Sequence, residues 1–177
     1  MKNKLLSIAG FWWPAVLWMA VIFTVSTESF STSNTSSLLE PWLFALFPQF
    51  SDEQIELIHW SLRKLGHWFG YFVLGLLILR TVGAQFPFWQ AGRRAIFSLV
   101  LAIVYAITDE WHQSFVPSRS ASFFDVLLDS FGAFFGVLCW QRLSRAGAAL
   151  HEKGKKLDKL RANREDMATI RNTPSKK

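Results

Sequence analysis

The chain has 177 residues, 51% of them hydrophobic, with 17 Phe and 9 Trp; the length fits one domain and the aromatic content suits lipid interfaces. Charge is unevenly divided: residues 1–141 hold eight Lys/Arg against nine Asp/Glu and residues 142–177 hold eleven against four, so the net +6 belongs to the tail. A basic tail after an apolar body argues for an anionic lipid surface and against a nucleic-acid partner, and a single cysteine, Cys139, excludes an intrachain disulfide.

Four apolar runs mark four transmembrane helices. The first, residues 8–25, follows Lys2 and Lys4. It is read as a retained helix rather than a signal peptide, because Trp12, Trp13, Pro14 and Trp18 are bulky and no small-x-small cleavage site follows. Next comes a polar, flexible stretch rich in Ser and Thr. Residues 38–50 are apolar, aromatic and broken by Pro41 and Pro48. They are too short to span and are expected to lie in the membrane interface. Ser51 and Gln54 have the spacing of a capping box, and the helix they start is expected to run through His59, read as an interfacial residue, and Arg63 into the second span.

The second run, residues 65–79, ends at Arg80; the third, residues 95–108, follows Arg93 and Arg94. A bilayer core takes about 20 residues of helix. Both runs are shorter, so the spans are expected to include their polar flanks. The fourth run, residues 123–140, precedes Arg142 and Arg145. Cys139 within it reads as a small buried apolar side chain. Beyond it, Leu143, Leu150, Leu157 and Leu160 recur at helical intervals among basic residues. That spacing predicts an amphipathic surface helix that becomes disordered after Arg164. The organisation is a transmembrane domain over 1–141 and a basic tail over 142–177.

The distribution of Lys and Arg orients the helices. With both termini cytoplasmic, the inner segments carry Lys2 and Lys4, then Arg80, Arg93 and Arg94, then the tail. The outer segments carry Arg63, Lys64 and Arg119. The expected fold is therefore all-α and integral to the membrane, with four crossings, both ends inside, and an interfacial helix in the first outer loop.

Ionisable groups then crowd the outer ends of three helices. Lys64, His67, Tyr71 and Gly75 share one helical stripe; Asp125, Asp129, Gly132 and Gly136 share another. Tyr105, Asp109 and His112 form a third, with Glu110 and Gln113 beside it. Charges at membrane depth are costly and mark sites, cavities or ion paths. The small residues below them allow close helix approach, so the stripes are expected to face the interior and meet.

The motif Arg63-Lys64-x-x-His67-x-x-x-Tyr71 is followed by a second block. That block comprises Thr108, Asp109, Glu110, Gln113, Phe115, Val116, Pro117, Arg119, Asp125, Asp129, Gly132 and Gly136. Together they resemble the VanZ-like family of bacterial membrane proteins, whose founding members are tied to teicoplanin resistance. Ser26-Thr27-Glu28 also resembles that family's serine-bearing segment. The resemblance covers residues 10–140 and departs at Arg63, where the family often has Asp, and at Asp129, where it often has Asn. It implies a multi-pass protein of the bacterial cytoplasmic membrane acting in the cell envelope.

The residues support three readings. In the first, the outer site binds, with or without turnover, an anionic lipid or lipid-linked envelope precursor. Lys64 and Arg119 would contact phosphate, and His67, Asp109, Glu110 and Asp125 would be the acid/base candidates. Tyr71, Gln113 and Asp129 would line the ligand. In the second, Asp109, Glu110, Asp125, Asp129 and His67 hold a divalent metal, although no fixed ligand motif demands one. In the third, the charges pair and pin helices in a scaffold or small transporter component. Transport by four helices without an internal repeat would need a homo-oligomer.

Overall fold

A computed structural model describes the backbone of residues 2–27, 32–116 and 121–172. Side chains are described over 10–27, 35–37, 39–116 and 121–160. Among the described residues five helices follow in order: α1 Lys2–Val25, α2 Thr32–Leu46, α3 Asp52–Gln85, α4 Ala91–Gln113 and α5 Phe123–Asn172. Three contain segments long and apolar enough to cross a bilayer, Asp52–Gln85, Ala91–Gln113 and Phe123–Leu160. Within α1, Gly10–Val25 is a shorter apolar stretch. The protein is an all-α membrane protein.

The start of α3 is set by its sequence. Ser51 Oγ accepts from the Gln54 backbone N–H at 3.4 Å, while Gln54 Oε1 accepts from the Ser51 N–H at 3.0 Å. Asp52 and Glu53 add negative charge to the first turn, where the helix dipole favours it. At about 1.5 Å per residue, the 34 residues of α3 rise about 51 Å. That exceeds a hydrocarbon core of about 30 Å, so part of the helix stands clear of it. Pro87 disfavours helical backbone at Phe86 and closes α3. In the turn that follows, Phe86 stacks on Trp89 at 4.2 Å and Arg93 sits over the Trp89 ring at 4.5 Å.

The first loop differs from its expectation. A helix, α2, occupies Thr32–Leu46, six residues earlier than the apolar run and through part of the Ser/Thr stretch expected to be flexible. It accommodates Pro41 and stops before Phe47, which precedes Pro48 and is biased away from helix. By packing on α3, α2 also changes the reading of His59. That ring is 1% exposed, with Nε2 3.2 Å from Thr35 Oγ1, rather than free at the interface. Cys139 is half-buried.

Helix α3 is the centre of the bundle. It packs against α1, α2 and α4, and α5 meets it backbone to backbone. A Cβ at Gly132 would collide with the Trp68 carbonyl, one at Gly136 with the Phe72 carbonyl, and one at Gly75 with the Ala133 carbonyl. The predicted glycine stripes therefore do face each other. The core joins Ala15 and Ile22 of α1 to Tyr71, Leu74, Ile78 and Val82 of α3, Ala102 and Ala106 of α4, and Ala133 of α5. Side chains also bond to exposed carbonyls across helices: Trp18 Nε1 to Gly70 O at 2.8 Å, and the Tyr105 hydroxyl to Met19 O at 2.6 Å. Phe11, Trp13, Ile96, Val104, Phe131 and Phe134 point outward and are exposed. An apolar surface of this extent is a lipid-facing one.

The described chain divides into two units, Met1–Trp140 and Gln141–Lys177. In the second, α5 remains helical beyond Arg164, to Asn172. Its composition explains the extent: from Ala162 to Arg171 there is no Gly or Pro, and Pro174 is the first breaker.

Candidate functional site

One end of the bundle gathers the last turn of α1, the middle of α3, the end of α4 and the start of α5. Asp109 is the hub. It is 3% exposed, and its Oδ2 accepts from Ser26 Oγ at 2.8 Å and from Gln113 Nε2 at 3.1 Å. Gln113 lies four residues on, hence on the same helix face. Asp109 Oδ1 has no hydrogen-bond partner among the described residues.

Opposite lies Asp129, 1% exposed, with Oδ2 3.8 Å from His67 Nδ1. That is an ion-pair separation, too long for a hydrogen bond. Among the described residues Asp129 Oδ1 is also unpartnered. Tyr71, fully buried, turns its hydroxyl toward Asp109 and Asp129. Donor atoms of His67, Asp109 and Asp129, one from each, all lie within 4.8 Å of one another. Three helices thus bring three ligand-type side chains to one point.

Other predicted site residues are engaged elsewhere. Lys64 pairs with Asp125 through Nζ and Oδ1, at the half-exposed edge of the bundle. The same ammonium stands 5.6 Å over the Trp60 ring. Asp125 also sits in the first turn of α5, where a negative charge is favoured. Glu110 Oε1 accepts from the Ser122 backbone N–H at 2.6 Å and ties the end of α4 to the start of α5. Arg119 and Pro117 lie outside the described residues.

The Lys64–Asp125 pair gives a direct test of its structural role. Lys64→Met strands a partly buried carboxylate and is expected to cost about 1–2 kcal/mol, less than a fully buried pair would. Adding Asp125→Asn should recover at least half of that loss. Thermal unfolding in detergent reads both; a Lys64→Met variant as stable as wild type would show that the pair contributes nothing.

Beside the buried cluster runs a cleft of about 310 Å³ between α1 and α3, with Thr35 of α2 at its rim. Trp18, Val21, Ile22, Val25 and Phe69 make it apolar, while Arg63, Ser26, His67 and Tyr71 make one part of it polar. Gly66 and Gly70 leave room in its α3 wall. Two of these features escaped sequence reasoning. Ser26 was visible only as part of a motif, with no sign that its partner is Asp109, 83 residues away. The cleft had a weak signal in Arg63, Gly66, His67 and Gly70, which recur three or four residues apart on one face of α3.

Residues 11–144 match the family model described as VanZ/LLP1. No curated protein and no solved structure matches the chain.

Proposed function

The chain belongs to the VanZ/LLP1 family, and from that premise we propose that it binds an anionic lipid or lipid-linked envelope precursor in the cleft between α1 and α3. In this reading it is a four-span protein of the bacterial cytoplasmic membrane, with both termini inside and the polar end of the bundle outside. Its family links it to glycopeptide resistance.

The observation that carries the proposal is the amphipathic character of the cleft. Val21, Val25 and Phe69 offer a wall for a hydrocarbon chain, and Arg63 and His67 offer positive or protonatable groups at the head-group end. Lys64 holds Asp125 and Ser122 holds Glu110, so of the acid/base candidates only His67 lines the cleft. The basic tail serves as a cytoplasmic anchor on anionic lipid.

Gly66 supplies the test. It lines the cleft, and a Cβ added there meets nothing within 4 Å. Gly66→Phe should therefore fold normally, since replacing a mid-helix glycine also improves helix propensity. It should fill the cleft and lower retention of co-purified anionic lipid by about tenfold, a loss equivalent to about 1.4 kcal/mol. Native mass spectrometry of the detergent-extracted chain makes the comparison. A folded variant with wild-type lipid retention, or wild-type protein carrying no anionic lipid, would sink the proposal.

A further inference from the structure

We propose that His67, Asp109 and Asp129 hold a divalent cation of the zinc or manganese class. The inference stands on the atoms of the cluster and not on the lipid reading.

The first observation is geometric. The donor atoms come from α3, α4 and α5 and lie within 4.8 Å of one another, with His67 Nδ1 3.8 Å from Asp129 Oδ2. Adjacent ligands on an ion with bonds of about 2.1 Å are roughly 3.0–3.4 Å apart. Closing around such an ion requires each side chain to move by less than about an ångström. One imidazole and two carboxylates suit zinc or manganese, whereas all-oxygen sites suit magnesium or calcium.

The second observation is the pattern of unmet polar atoms. Asp109 Oδ1 and Asp129 Oδ1 are buried without a hydrogen-bond partner among the described residues, and the Tyr71 hydroxyl faces the two carboxylates. Buried polar groups in folded proteins are nearly always satisfied, so two unpartnered carboxylate oxygens around one point call for an occupant. A cation takes both carboxylate oxygens, and a water bound to it meets the tyrosine hydroxyl.

The third is the outer shell. Ser26 and Gln113 both donate to Asp109 Oδ2 and leave Oδ1 turned away from them. Metal-binding carboxylates are oriented by such partners. Lys64, on the same stripe as His67, is engaged by Asp125, so the buried Asp109 and Asp129 do not have its charge. Ser26, His67 and Tyr71 also line the cleft, which gives the ion a face open to incoming anions.

The test uses the full chain in detergent, stripped with chelator and then equilibrated with Zn²⁺ or Mn²⁺. About one ion per chain should survive gel filtration by elemental analysis. Asp109→Asn and Asp129→Asn should each weaken binding at least about tenfold, whereas Glu56→Gln, on the exposed start of α3, should bind like wild type. Co²⁺ should give a visible absorption band in wild type that His67→Gln shifts, a signature of nitrogen ligation that needs no stability comparison. Wild-type protein retaining no ion from excess metal would overturn the proposal, as would triad variants binding as tightly as wild type. Gly66→Phe reports on the cleft alone, so failure of the lipid reading and failure of this one are separately visible.

Discussion

Gly132→Leu should leave little folded protein in the membrane. The α3–α5 contact is made by backbones, and a Cβ at position 132 falls on the Trp68 carbonyl oxygen and close to the Phe72 nitrogen. Overpacking a core costs about 1–3 kcal/mol where side chains can shift to make room. Here the obstacle is main chain on a neighbouring helix, so the two helices must separate. Separation also breaks the contacts at Gly136 and Gly75 and moves Asp129 away from His67. The measurement is monodisperse protein recovered after extraction, expected to fall by about tenfold or more against wild type. Gly66→Phe is the internal control, a larger side chain on α3 facing open space. Equal recovery of the two variants would contradict the packing described.

The second large effect separates stability from function. In the presence of chelator, Asp109→Asn/Asp129→Asn should melt higher than wild type. Both carboxyls are buried, each has an unpartnered oxygen, and they face one another across a single ion-pair-range imidazole. Replacing incompletely compensated buried carboxylates with neutral groups of the same shape stabilises by on the order of 1–3 kcal/mol. Amide groups can also donate to one another while still accepting from Tyr71. The same variant should lose ion retention and any lipid binding that depends on it. Residues that lower stability in the resting protein and are needed for activity are the signature of a site. A lower melting temperature for the double variant would show that the two aspartates stabilise the fold.

Much of the fold was legible because helices in a bilayer obey strong local rules. The capping box at Ser51 and Gln54 is a local chemical event, and it starts α3 where the spacing says. The stripes on α3 and α5 follow from periodicity, and Gly132 and Gly136 mark close approach because little else makes glycine useful inside a helix. Helix α2 was not legible in full, since serine and threonine have modest helix propensity and its stability comes from packing on α3. The misreading of His59 follows from the same gap, because α2 is what buries it.

In the site, periodicity placed His67, Asp109 and Asp129 on inner faces but said nothing of which oxygen meets which nitrogen. Lys64 and Asp125 share those stripes with His67 and Asp129, yet they lie one turn nearer the edge and pair with each other. Glu110 looked equivalent to its neighbour Asp109. A rotation of about 100° per residue sends it instead to the Ser122 amide. Ser26 illustrates the limit most clearly, since nothing local distinguishes a helix-end serine from one that orients a carboxylate 83 positions later.

The cluster draws Ser26 from α1, His67 from α3, Asp109 from α4 and Asp129 from α5. That has a consequence for how the protein is made. Membrane helices are placed individually before they pack, so during synthesis each polar group enters without its partners. Asp109 lies near the end of its helix, whereas Asp129 lies deeper, nearly two turns into α5. The cluster is therefore complete only where α5 is docked along its glycines, which deliver the final carboxylate to the other three helices.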